Sequence, residues 1–479
     1  MRHSLMVLVL TTLPILAKAE CTKPACFVET RWHTGFTAVV VQDRLGSPEH
    51  KSAVNLIESL GGSVAVHSNH IILGWIPPAA DASLLGRHGI RSIHRQPGTL
   101  SMAIVPRSPK TTPHEVRPRQ DDALVAFFES VVSGRLASEI DKSIGVVGPP
   151  LHHDVFDNPA LAQQLGISAQ PGAATSTKGM KHLSVGATNT NGPPWTNDSM
   201  RNEVCVIGFE MQSDGSLEQS RFNWSVEQYG PLTGQILNGI TWWADRAREH
   251  GISVHFGMCG VWEPYSLQTQ TGYEPLNHYA SDDYLWVNDI LRKQDTNPPY
   301  YTGPIEGRPG GFGASPITPA NVFAQAEQYN AYIQQQNGCT SGFTIYIAAD
   351  NGQPYGFPYW LQPSTSQQRS YSYYGGPFMQ TTYTNGGWGA DQFYIVMWHE
   401  TGHQFWACDE YWDTPSSTGC TTCGNCRTYG PRLDATNANC GNPNPQNPPG
   451  VSCQTHVACI MDRAESLSLC NSTPYQIGW

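Results

Sequence analysis

Apolar and polar positions change period several times along the first hundred residues. Residues 37–42 read Thr-Ala-Val-Val-Val-Gln, a β-branched run that predicts a strand. Over 49–60, Ala53, Val54, Ile57 and Leu60 share one helical face, and Gly61-Gly62 stops that helix. Residues 63–66 and 71–76 predict two strands joined by a turn at Ser68-Asn69-His70. A short helix over 78–85 and a last strand over 90–93 follow. The order β-α-β-β-α-β is the split βαβ pattern, so residues 36–95 are expected to form a ferredoxin-like unit.

Beyond it the pattern breaks. Residues 105–121 are rich in Pro, Arg and Ser and read as a linker. A helix is predicted over 122–144, then a Gly-, Ala-, Ser- and Thr-rich stretch to Lys181. No function is legible in 105–181. From 182 onward, strands predicted at 183–187, 203–209, 254–256, 343–349 and 378–383 alternate with helices at 225–249, 282–291 and 321–336, and with one starting near 390. That alternation predicts a layered α/β (α+β) domain around a mixed, twisted sheet. The chain therefore divides into 1–19, 20–104, 105–181, 182–398 and 399–479. Neither repeats nor coiled-coil heptads occur.

Composition narrows the class. Charged residues make up only 14% of the 479, while Gly (46) and Pro (36) are plentiful, which describes a loop-rich globular chain. A net charge of −11 argues against nucleic acid or an anionic membrane as the partner. Arg2 and His3, the apolar run over 5–16 and the Ala17-Lys18-Ala19 site read as an export signal, removed near Glu20. No later stretch approaches the ~18 apolar residues of a membrane span. Thirteen cysteines, eight of them after residue 400, fit an oxidising compartment and a disulfide-rich C-terminal subdomain. Asn197, Asn223 and Asn471 begin glycosylation sequons.

Residues 399–403 read His-Glu-Thr-Gly-His, the H-E-x-x-H pattern. On a helix, His399 and His403 share a face and can aim both imidazoles at one ion. Glu400 sits about 100° round the axis, within reach of water at that ion without being a ligand. Zn2+ there would acidify the water, and Glu400 would take its proton as general base. The apolar residues 393–398 predict a buried helix that delivers the histidines to a cleft floor. A catalytic zinc usually has three protein ligands and an open position. If the helix ran on, Asp409 would point about 120° away from His403, and Glu410 would lie roughly 10 Å further along. A third ligand from this segment therefore needs the helix to break after His403. Asp409 is then the leading candidate, with Glu410 and Cys408 behind it.

These residues resemble the metzincin clan of zinc metallopeptidases, whose pattern is H-E-x-x-H-x-x-G-x-x-H/D. Asp409 falls on the clan's third-ligand position. Asp409-Glu410-Tyr411 is similar to the D-E-Y of IgA-peptidase-like and chloride-channel-regulator-like metallopeptidases, which space the Asp one residue further on. The resemblance implies a methionine turn beneath the zinc, best matched by Met461 in Cys459-Ile460-Met461-Asp462. It also implies a substrate-pairing edge strand just before the zinc helix, matched by 378–383. Trp406 stands where the clan has Gly, so the chain is expected to turn under the metal by another route. Gly61-Gly62 and residues 84–95 of the N-terminal unit resemble inhibitor-type prodomains of secreted proteases; a ferredoxin-like accessory domain is the alternative.

Cys420, Cys423, Cys426 and Cys440 read as disulfide partners, with a second, structural zinc as the alternative; Cys21 or Cys26 could block the zinc of a zymogen. The expectation is a secreted, monomeric zinc endopeptidase acting on protein or peptide substrates. Its rivals are a protein that cleaves itself or one partner, and an exported adhesion or binding protein with a non-catalytic zinc.

Overall fold

The computed structural model describes residues 35–100, 120–133, 136, 197–220, 222–259, 269–278, 284–296, 319–350, 370–372, 375–384, 390–407, 459–461 and 468–479. The export signal, the strand expected at 183–187, Asp409 with its rivals Cys408 and Glu410, and the cysteines from 420 to 453, with Cys21 and Cys26, lie outside them.

The N-terminal unit follows the predicted order. Strand β1 (Phe36–Val41) leads into helix α1 (Pro48–Ser59), strands β2 (Ser63–His67) and β3 (Ile71–Trp75), a 3-10 turn at Pro78–Ala80 with helix α2 (Asp81–Leu84), and strand β4 (Ile90–His94). Ser47 caps α1 by accepting a 3.1 Å bond from the His50 amide, with Pro48 in the first turn. The four strands pair antiparallel in the order β4-β1-β3-β2, the ferredoxin-like arrangement. Period-two alternation divides β1 between two cores. Val39 and Val41 pack with Ala53, Val54 and Ile57 of α1, while Ala38 and Val40 join the main core on the opposite face.

This unit does not stand apart. Its outer strand β2 pairs parallel with β6 (Val254–Met258), placing Val66 beside Phe256 and His67 beside Gly257. Beyond β6 come β5 (Asn202–Ser213), β8 (Ser341–Ala348) and β10 (Phe378–Thr382), each parallel to its neighbour, and then β9 (Tyr371–Ser372), antiparallel at the outer edge. Short β7 (Gln270–Thr271) pairs with the far end of β5. All ten strands form one mixed sheet.

Helices cover both faces. On one, α3 (Gln120–Val132), α4 (Val226–Glu249) and α7 (Phe393–His403) pack side by side over the sheet. On the other lie α1, α5 (Tyr284–Thr296) and α6 (Pro319–Asn337), with the loop before α1 against the α6 C-terminus at Gly46 and Asn337. Helix α8 (Thr473–Gln476) ends the chain. The helix expected over 122–144 begins at 120 and is a core element: Phe128 stacks on Phe36, and Phe127 meets the same ring edge-on. Among the described residues, no helix is long and apolar enough to cross a membrane.

Candidate metal centre

Helix α7 is buried along its whole length because both its sides are claimed. Met397 faces Gly239 of α4, and the Trp398 ring stacks on Trp242 at 5.4 Å. The Trp243 indole donates to the Trp398 carbonyl at 2.8 Å. The remaining face presents His399 and His403 one turn apart, with ring centroids 4.6 Å from each other. Their Nε2 atoms stand 3.0 Å apart. His399 Nδ1 meets the Ile460 carbonyl at 3.1 Å, and His403 Nδ1 meets the Ala407 carbonyl at 2.7 Å.

Those carbonyls decide the tautomers. A carbonyl only accepts, so each Nδ1 must carry the proton, and each neutral ring then turns a bare Nε2 lone pair on the other. Two such lone pairs 3.0 Å apart repel unless a proton shared between the rings or a metal ion lies against both. Two nitrogens on a tetrahedral zinc, at ~2.05 Å bonds, would stand roughly 3.3 Å apart. The pair therefore fits a metal ion, and the Nδ1–carbonyl bonds are the outer contacts that orient metal-binding histidines. Glu400 is buried beside them, and Ser372 of β9 donates to its backbone carbonyl at 2.9 Å.

The helix breaks after His403, as a third ligand from 408–410 requires. Trp406 N–H bonds to the His403 carbonyl and Ala407 N–H to the Gly402 carbonyl, both at 3.0 Å, the bond pair of a Schellman ending. The expectation that Trp406 would force a different route is corrected. Trp406 itself takes the left-handed conformation at φ 74°, the one a glycine would adopt. Its indole lies over Gly375, where any Cβ would fall 2.2 Å from the ring. The same turn delivers the Ala407 carbonyl to His403. Met461 lies under the helix: its Sδ is 2.6 Å from where a Cβ on Gly402 would stand.

The edge-strand expectation is also corrected. Residues 378–382 are not at the edge, because β9 pairs with them, Ser372 beside Met379 and Tyr371 beside Gln380. The turn at Gly375-Gly376-Pro377 folds the chain back so that β9 takes the outer position against α7. An extended segment adding to this sheet would meet β9.

Two further clusters join residues far apart in sequence, and no local pattern announced either. Cys205 of β5 is disulfide-bonded to Cys339, and the Cys259 sulfur lies 2.7 Å from Cys205 Sγ and 3.9 Å from Cys339 Sγ. The three sulfurs could hold a metal only with that bond open. At the β2–β6 seam, His50 Nε2 meets His67 Nδ1 at 3.0 Å, and His67 Nε2 lies 2.8 Å from Glu203. His255 bridges Glu203 at 2.9 Å and Glu58 at 2.7 Å. Burial disfavours the charged form of His255, but the two carboxylates outweigh it and raise its pKa to about 9. Burial and the neighbouring His67 lower His50 to about 3. Burial alone would raise Glu203, yet the two histidines hold it well below the usual carboxylate range.

No family model, curated protein or solved structure matches this chain.

Proposed function

We propose that this chain is an exported zinc-dependent endopeptidase. The observation that carries the reading is the pair of carbonyl-anchored imidazoles whose Nε2 atoms converge at 3.0 Å, beside a buried glutamate on the same helix. His399 and His403 would hold the ion, and Asp409, six residues past His403, is the third ligand that the helix break makes reachable. Bound zinc supplies Lewis acidity toward a scissile carbonyl and toward water. Glu400 accepts the proton of the attacking water and delivers it to the leaving amine. As the outermost strand of the sheet among the described residues, β9 would give extended peptide a backbone to pair with. Export is supported by the leader pattern in 2–19 and the thirteen cysteines.

The N-terminal unit has a position that bears on its role. Strands β6, β5 and β8 separate β2 from β10, four strand spacings or about 19 Å. We therefore read the βαββαβ unit as an extension that completes the sheet, not as a plug over the histidines.

The test is metal analysis with peptide-library cleavage, for wild type and Glu400→Ala. Wild type should carry about one chelatable zinc and cleave peptides. The variant should keep the metal and lose roughly 100-fold or more of the rate. Cleavage that survives zinc chelation, or a metal-loaded wild type that cuts nothing, would overturn the reading.

A further inference from the structure

The turn that carries Met461 is held from one side by the last dozen residues of the chain. The Ile460 amide donates to the Ser468 carbonyl at 2.8 Å. Next to that bond, the Cys470 amide donates to Cys459 Sγ at 3.3 Å. Both sulfurs reach the same Thr473 hydroxyl, each at 3.2 Å. Cys459, Cys470 and Thr473 are all buried. Both cysteines stand as thiols in the structure. Among the described residues, no third metal-binding side chain joins them.

We propose that Cys459 and Cys470 are oxidised to a disulfide in the working protein, and that this cross-link positions His399. The second half rests on the zinc reading above. The residue after Cys459 supplies the carbonyl that fixes the His399 tautomer, and the next is Met461, packed against Gly402. A bond between residues eleven apart closes the loop that bears both contacts. It would stop the Ile460 carbonyl from swinging away when the metal leaves.

The oxidant is a disulfide of low molecular weight, such as oxidised glutathione, of the class present in export compartments. One cysteine thiolate attacks it and releases a thiol, forming a mixed disulfide. The second cysteine then attacks its partner's sulfur and releases the second thiol. One S–S bond forms, one breaks, and the two cysteine protons leave on the two released thiols. The hydrogen bond with Cys459, and then burial, push the Cys470 thiol up, so exchange belongs to folding, before the segment closes over.

The experiment uses the full chain refolded with oxidised and reduced glutathione, alkylated, digested without reduction and mapped by mass spectrometry. A peptide pair linked through Cys459 and Cys470 is expected. Recovery of both residues alkylated, or linked elsewhere, overturns the cross-link. The positioning half is read from zinc release to a chelator in Cys470→Ser and in the Cys459→Ala/Cys470→Ala double variant. Folded variants should hold zinc roughly 10–100-fold more weakly, as for other lost outer contacts. Wild-type zinc retention in a folded variant overturns that half. Linked peptides in a chain that binds no zinc would sink the metal reading while leaving the cross-link intact.

Discussion

The helices that end at Gly61, Gly251, Gly338 and Gly478 share one device. Each glycine sits at positive φ, and the amide after it bonds back five residues, as Gly62 does to Ile57. Helix α7 closes the same way with Trp406 in the glycine's place. A left-handed residue with a side chain costs about 1–2 kcal/mol. Here the indole offsets part of that by covering Gly375, whose amide bonds to the His403 carbonyl at 2.8 Å. The geometry matters because the turn ends on the Ala407 carbonyl that orients His403. Trp406→Gly should therefore keep zinc affinity within a few-fold of wild type. Trp406→Val, branched at Cβ and ill-suited to positive φ, should weaken it roughly 10–100-fold. Competition with a chromophoric chelator measures both. Equal affinity in the two variants would mean that the left-handed turn does not set the histidine.

At the scale of elements, helix α7 is positioned by its contact with α4, and glycine decides how close they come. A Cβ on Gly239 would lie 2.4 Å from the Met397 Cβ, whereas one on Gly234 of the same helix would meet nothing within 4 Å. Gly234→Ala should stabilise the fold by about 0.5–1 kcal/mol, the ordinary gain from stiffening a helix. Gly239→Ala makes the same chemical change but drives α7 outward, and should cost about 1–3 kcal/mol. Denaturant unfolding compares them, and a stabilised Gly239→Ala would contradict this packing. The helices and most strands were legible in the sequence because each has its own period: Ala53, Val54 and Ile57 share one face of α1, and the β-branched and aromatic run at 343–347 falls in a strand buried at every position. The histidine pair follows from local spacing too, whereas the helix break was expected only as the condition for a third ligand, and Met461 only from the clan resemblance. The order of strands is not a local property. β9 has two residues and no period to read, so β10 looked like the edge. Trp406 was misjudged because its backbone strain is offset by Gly375, a neighbour thirty-one positions away.

The whole molecule is organised by one sheet, and the seam at β2–β6 is where its two halves depend on each other. Only Val66 and His67 pair across the strands there. The rest of the join is polar on one face, with His50, His67, His255, Glu58, Glu203 and Ser253, and apolar on the other, where Phe36, Ala38, Val66 and Leu73 pack into the main core and the Arg248 guanidinium lies 4.6 Å over Trp75. No sequence window contains this cluster, since its members come from α1, β2, β5, β6 and the residue before β6. His255 is its pivot, bridging Glu58 of the N-terminal unit and Glu203 of β5. Its folded pKa of about 9 lies above the ordinary 6.5, so the native state binds this proton more tightly than the unfolded chain. The stabilisation is complete below pH 6.5 and is lost as pH rises through 9. Glu58 and Glu203 are held below their usual values, so their share appears above the ordinary carboxylate range and fades on strong acidification. Two other buried groups enter the profile: His50, lowered to about 3, loses stability as pH falls below 6.5, and Glu327, raised to about 9 by burial, loses it as pH rises from 4.5, so the two roughly offset between about pH 5 and 6.5. Stability of the chelated protein should therefore be greatest there and fall toward pH 9, with His255 and Glu327 both contributing to the alkaline decline. Glu203→Gln removes the carboxylate that both histidines share. It should lower the melting temperature at pH 6 and flatten the alkaline decline. Melting curves at several pH values, run with excess chelator so that zinc binding adds no pH dependence of its own, decide the matter. An alkaline limb of unchanged slope in Glu203→Gln would show that the two halves of the sheet are joined without this proton.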